Sequence, residues 1–261
     1  MEIIQNIAVS EFPGADLEFI GPTKTIREQL FDFFGTKLAT MLKANGYNLD
    51  LGTEVFRSFL PTIDFGILPA VGFMPRAEES INLYGNHQKF DLVLDVQGIE
   101  KVGTIQAPQL VELIYADIIE AILGNTWTLN FDSGGTFKAT VGKYISGQLS
   151  KATGYICGVS LLSGTWAAGS AAGTLTLRRV KGDFINNENF NIGSNADVAT
   201  IDGVASASNA PLTTTGGLAE AIYLTSAEGQ YPTADQQSAG INISFGINYK
   251  RVAGNPYSQT N

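Results

Sequence analysis

The sequence predicts an α+β fold: a mixed or antiparallel sheet with two helices packed on one face, interrupted by an inserted small all-β domain. Three observations carry this reading. Two segments repeat their apolar residues every three or four positions, as one-sided helices do, whereas others alternate apolar and polar residues as half-buried strands do. From Asp132 to about Gly217 the texture changes to Gly, Ala, Ser, Thr and Asn around short apolar runs, the pattern of a small β module.

Residues 1–24 hold two Pro and two Gly among isolated apolar side chains, which suggests an extended arm that takes its order from a neighbour. The first helix is expected over Thr25–Ala44. Ile26, Leu30, Phe33/Phe34, Leu38 and Met41/Leu42 form its stripe, Thr25 and Glu28 its capping box, and Asn45-Gly46 its stop. Strand candidates follow at 53–59, 67–74 and 89–97, and Pro69 and Pro75 mark the middle one as an edge strand or a bulged one. In the third, Phe90, Leu92, Leu94 and Val96 share one face, and Asp91, Val93 and Asp95 the other. A second helix is expected over Pro108–Leu123, with Pro108 in its first turn, Leu110, Leu113/Ile114, Ile118 and Ala121/Ile122 on its stripe, and Gly124 at its end.

The domain organisation follows from the change in texture. Residues 25–131 and 218–261 form the first domain, and 132–217 the inserted β-rich domain, whose residues 205–217 serve as a flexible return linker. Glu220–Thr225 resumes the first domain as a strand. Ile241, Ile243, Phe245, Ile247 and Tyr249 then alternate so strictly that the strand over 241–250 is placed inside the sheet.

Composition excludes several functions. The chain has 261 residues and a formal net charge of −9, and no basic stripe of the kind that neutralises phosphates in a general DNA binder. Its nearest cationic cluster, Arg178-Arg179-x-Lys181, reads as a solvated strand end. No apolar run approaches the ~20 residues of a membrane helix, and one cysteine, Cys157, cannot make an internal disulfide. Met1-Glu-Ile-Ile-Gln-Asn lacks the basic start of a secretory signal, so synthesis and folding in a cytoplasm are expected.

No catalytic, cofactor or metal site is expected. His87, the only histidine, reads as a surface turn residue, and Cys157, in an apolar β run, as a small core side chain. Gly135 to Gly142-Lys143 has the wrong spacing for a phosphate loop, and Tyr144 stands where a hydroxyl would hold magnesium. Asp183, Asn186, Asn187 and Glu188 do not keep the spacing of a calcium loop, and Asp91/Asp95 fall on the outer face of a strand.

The order of the motifs supplies a functional expectation. A helix, then Asn45-Gly46-Tyr47-Asn48-Leu49-Asp50-Leu51-Gly52, then Val55-Phe56-Arg57, then Leu68-Pro69-Ala70 and Glu78-Glu79 resembles the tail terminator and tail-completion proteins of long-tailed bacteriophages. The likeness continues in the second helix and in Ile241–Arg251 followed by Asn255-Pro256-Tyr257. Residues 150–154, 173–184 and 199–200 resemble a small β module of phage structural proteins.

That resemblance implies a structural virion protein, not an enzyme. It would form a cyclic, usually sixfold, ring at the end of the tail tube, contact tube and head–neck connector proteins, and let DNA pass without specific binding. Acidity suits such a channel, because like charges repel across it. Asn45, Tyr47, Asp50 and Arg57 are the expected assembly contacts, with Tyr47 as a rigid aromatic anchor. A second reading makes the insertion the working part, a virion surface protein whose β module binds carbohydrate or a host surface.

Overall fold

A computed structural model describes residues 24–58, 67–84, 87–203, 205–208, 218–232 and 237–257. The expected N-terminal arm lies outside these apart from Lys24, and so does the return linker from 209 to 217. The fold is α+β, with two helices packed against a mixed sheet and a second, inserted all-β sheet.

Helix α1 spans Ile26–Ala39 and starts as its sequence dictates, with the Glu28 N–H donating to Thr25 Oγ1 at 3.1 Å. Its stripe is fully buried at Ile26, Leu30, Phe34 and Leu38. The helix ends earlier than the expected Ala44. The Thr40 hydroxyl donates to the Lys37 carbonyl at 2.6 Å, and Asn45 Nδ2 donates back to the Thr40 carbonyl at 2.9 Å. Side chains therefore satisfy the terminal carbonyls that another turn would have used. Asn45-Gly46 instead closes a separate single turn of 3-10 helix, Lys43–Asn45.

Helix α2, Ala107–Leu123, has Pro108 in its first turn and ends as the Gly124 N–H donates to the Glu120 carbonyl at 3.1 Å. Its buried stripe is Leu110, Val111, Ile114, Ile118, Ala121 and Ile122, with Asp117 among them.

Both helices cover one face of a five-stranded sheet. Its strands are β1 (Val55–Phe56), β2 (Ala70–Tyr84), β3 (His87–Lys101), β11 (Ala219–Gln230) and β12 (Ser238–Val252), in the order β1-β2-β3-β12-β11. Only the short β1–β2 pairing is parallel. Strand β12 lies inside the sheet and pairs with β3 from Ser238↔Lys101 to Val252↔His87. Phe90, Leu92, Leu94 and Val96 on β3 meet Ile241, Ile243, Phe245, Ile247 and Tyr249 on β12 in the core beneath the helices. Gly98 continues that row because a Cβ there would lie 2.5 Å from Ile114, so its absence lets α2 settle onto the sheet.

The strand expected at 53–59 shrinks to two residues, and the one expected at 67–74 extends to Tyr84, with a register shift between Pro75 and Ala77. Arg76-Ala77-Glu78-Glu79-Ser80 has no apolar alternation, so pairing with β3 makes this stretch a strand where periodicity could not.

The inserted sheet comprises β4 (Thr126–Gly134), β5 (Tyr144–Gly147), β6 (Thr153–Ser163), β7 (Ala171–Lys181), β8 (Asn189–Ile192), β9 (Asn195–Ile201) and β10 (Ser206–Ser208). It begins at Thr126, directly after α2 and ahead of Asp132, because Trp127, Leu129 and Phe131 pair with Leu177, Leu175 and Gly173 of β7. At its far end Ser206–Ser208, expected to belong to the linker, pairs with Thr126–Thr128. The order β4-β7-β6-β5-β8-β9 returns to β4 through Phe131↔Ile201 and Asp132↔Thr200, so the sheet closes on itself. Leu129, Phe131, Ile145, Ile156, Leu175, Leu177 and Phe190 fill it, and Phe131 stacks on Trp166 at 5.2 Å between ring centroids.

Candidate functional site

Between α1 and β1 the Asn45–Asp50 turn is held from two sides. On one side stands Asp117, a fully buried carboxylate on the apolar stripe of α2. It accepts the Asn48 N–H at 3.0 Å, Asn48 Nδ2 at 2.7 Å and the Leu49 N–H at 2.9 Å. Burial pushes its carboxyl above the usual range, and these three donors oppose that shift. Sequence reasoning missed Asp117, although an acid in the register of Ile114, Ile118 and Ala121 is a readable sign of a buried carboxylate that must find donors.

On the other side stands the inserted domain. Arg178 is only 4% exposed, lies 4.0 Å above the Tyr47 ring, and donates through Nη2 to the Asn45 carbonyl. Arg179 makes a forked pair with Glu120 of α2, Nε to Oε1 at 3.0 Å and Nη2 to Oε2 at 2.5 Å, which raises its already high pKa further. Neighbouring strand residues ordinarily face opposite ways. Here β7 carries one extra residue between its pairings with Thr153 and Tyr155, and Arg179 takes a positive φ of 54°, which re-aims the two arginines toward one carboxylate. Arg178-Arg179 is thus a clamp between domains and not the solvated strand end that composition suggested.

Gly46 completes the contact. Its φ is +83°, and a Cβ there would meet the Tyr155 ring at 2.3 Å, so only glycine allows the turn both to bend and to lie against the inserted domain.

Of the four expected assembly residues, two belong to this internal contact. Asn45 supplies the carbonyl for Arg178, and Tyr47 gives a ring face to the guanidinium while its hydroxyl lies 3.3 Å from Thr40 Oγ1. Tyr47 is therefore engaged within its own chain. The other two stand apart. Asp50 accepts the Lys43 N–H at 2.8 Å, and Arg57 pairs with Asp32 near the start of the sheet.

Two hollows flank the clamp, and Glu120 and Gly124 border both. An open groove of about 760 Å³ runs between Tyr115, Ile119 and Leu123 of α2 and Trp127 and Val180 of the insertion. A smaller cavity of about 300 Å³ is lined by Lys37, Thr40, Tyr47, Glu120, Cys157 and Arg178. Burial lowers the Lys37 ammonium and raises both the Tyr47 hydroxyl and the Cys157 thiol, so the cysteine stays protonated, with Sγ 3.3 Å from the Thr176 carbonyl.

The other chemistry-bearing residues serve structural contacts. His87 is exposed at the start of β3. Asp95 accepts the Ser244 hydroxyl at 2.6 Å, and Asp91 accepts from Asn248 Nδ2 at 3.1 Å, both on the helix-free face. Glu188, only 1% exposed, gathers the N–H groups of Leu149, Ser150 and Ile185 and the Ser150 hydroxyl. Among the described residues no three His, Cys, Asp or Glu side chains group as a metal site, and no helix is long and apolar enough to cross a membrane. No model of a known protein family matches the chain, and no curated protein matches it in sequence.

Proposed function

We propose that this protein is a structural component of a phage tail, a terminator or completion ring that joins the tube to the head–neck connector. The observation that carries the reading is the open five-stranded sheet. Strand β11 has no partner beyond β12, and β1 covers only Val71 and Gly72 of β2, so among the described residues both sides of the sheet offer long unpaired edges. A dozen residues of free edge extend ~40 Å.

Unpaired edges are templates for strand addition, and two different edges on one subunit make a head-to-tail contact that closes into a ring when the rotation permits. Exposed apolar side chains lie along both: Tyr223 and Leu224 on β11, Ile81 on β2. The order of motifs from the first helix to Asn255-Pro256-Tyr257 supports the same reading. In it the acidic chain offers DNA a passage without a binding face, and catalysis has no part.

Native mass spectrometry and negative-stain microscopy of the purified chain test the proposal. A cyclic oligomer, usually a hexamer in such rings, is expected, with labelled protein found at the neck of intact particles. A strict monomer at every concentration, absent from the neck, would overturn it. A second reading, surface binding by the inserted domain, draws on Leu161 and Leu162, 45% and 75% exposed near the end of β6. Glycan binding by the monomeric protein would favour it.

A further inference from the structure

We infer that the open groove between α2 and the inserted domain receives residues 1–23 of a second copy of this chain, which rests on the self-association proposed above and supplies one of its contacts. Helix α2 is apolar on two sides. Its core stripe faces the sheet, and Tyr115, Ile119 and Leu123, each four residues after the last, make a second stripe packed only in part against that core. A helix apolar all round is ordinarily covered on every side. Here the second stripe and the half-buried Trp127 and Val180 of the insertion form the walls of an open groove of about 760 Å³, a size within the range of clefts that hold ligands.

The chain carries a segment that matches this groove. Residues 1–23 contain Ile3, Ile4, Ile7, Val9 and Phe12 ahead of the first proline, and Pro13-Gly14 and Gly21-Pro22 separate this apolar stretch from α1. The segment has four acids, Glu2, Glu11, Asp16 and Glu18, and no Lys or Arg. The groove opposes no free carboxylate to it, because Glu120, the one acid on the wall, has both oxygens bonded to Arg179. Lys181, exposed one residue beyond Val180, pairs with no acid among the described residues.

Position selects the second copy. The segment enters the fold at Lys24, which pairs with Asp32 on α1, and Asp32 also pairs with Arg57 directly after β1, the strand at one edge of the sheet. The groove lies on α2, whose Val111 stands against Gly229 of β11 at the other edge. A segment leaving one side and a groove on the other give the head-to-tail contact that a cyclic assembly repeats. Fully extended, residues 1–23 reach at most ~80 Å, enough to cross a subunit boundary.

Photo-crosslinking of the full chain tests the inference, with p-benzoylphenylalanine in place of Phe12 and the products separated on a denaturing gel and mapped by mass spectrometry. Covalent dimers joined between position 12 and residues 115–127 are expected. Ile119→Asp in the groove and Ile7→Asp in the segment should each lower the dimer yield about tenfold while helical circular dichroism is retained. Links confined to one chain would mean that the segment folds back onto its own groove, and links to another surface, or yields unchanged in both variants, would remove the groove's role; each result overturns the inference. The native mass of the same sample before irradiation separates the two readings. A cyclic oligomer whose position 12 links elsewhere overturns this inference and leaves the ring standing, whereas a strict monomer overturns the ring and the inference with it.

Discussion

The two sheets of this molecule solve the same problem in opposite ways. The inserted sheet closes through β4 and β9 and leaves its ladder with little edge to offer, whereas the five-stranded sheet stops at β11 and at a barely covered β2. Closure removes the hazard of edge-to-edge pairing, and an open edge keeps it available. The proposed ring therefore draws on the open sheet, and the closed one is joined to it through the arginine clamp. A convenient asymmetry makes the two domains separately observable. Both helices lie on the open sheet, and both tryptophans, Trp127 and Trp166, lie in the inserted domain.

The largest expected effects come from emptying each core in turn. Phe34 on α1 and Phe190 on β8 are fully buried, and replacing either with alanine should cost about 3–5 kcal/mol. If the clamp couples the domains, helical circular dichroism and tryptophan fluorescence will report one shared melting transition in both variants. If Phe190→Ala lowers the fluorescence transition and leaves the helical one in place, the domains are independent and the clamp is only a point of contact.

The clamp itself comes next. Glu120→Ala leaves Arg178 and Arg179, side by side on β7, without their anion at the junction. Removing one partner of a fully buried pair costs roughly 3–5 kcal/mol, but Arg179 is 36% exposed and water takes over part of its solvation, so about 1–3 kcal/mol is expected. The loss should appear as two separated transitions by the same two probes. A single transition at the original temperature would show that packing at Tyr155 and Gly46 suffices to join the domains.

The contrast also explains what the sequence could and could not convey. The stripes of α1 and α2 and the alternation of β3 and β12 were legible because each element buries one face against a single partner layer, which imposes its period on the residues. The polar half of β2 was not, since Arg76–Ser80 is strand only by virtue of the long pairing with β3. Composition changes at Asp132, whereas the first strand of the inserted sheet already starts at Thr126, where apolar Trp127, Leu129 and Phe131 still look like the first domain. The clamp was hidden for a further reason. A bulge and a positive φ at Arg179 set the directions of Arg178 and Arg179, and nothing in Arg-Arg-Val-Lys announces either. Only Asp117, an acid on an apolar stripe, was there to be read.

The smallest predicted effect separates the two domains by pH. In the insertion, burial pulls the Glu188 carboxyl upward, but its donors, Ile185 N–H, Ser150 Oγ and the N–H groups of Ser150 and Leu149, outweigh that pull and hold it below the usual carboxylate range. A carboxyl lowered on folding contributes stability that is complete above its unfolded value, about 4.3, and is lost as pH falls through the folded one. In the open domain Asp117 is displaced the other way. A carboxyl raised on folding favours the protonated state, so its penalty is present above the folded value and is relieved on acidification. Asp32 and Glu220 are also lowered there, by Lys24 and Arg57 and by Lys250 and Lys89, but these partly exposed pairs contribute little. As pH falls below about 4.3, tryptophan fluorescence should therefore report loss of the inserted domain before circular dichroism reports loss of the helices. Glu188→Gln, which keeps the shape and removes the charge, should cost about 1–2 kcal/mol at neutral pH and bring the two acid transitions together. Acid transitions that coincide in the wild type and stay unchanged in Glu188→Gln would mean that this buried carboxylate does not set the acid limit of the inserted domain.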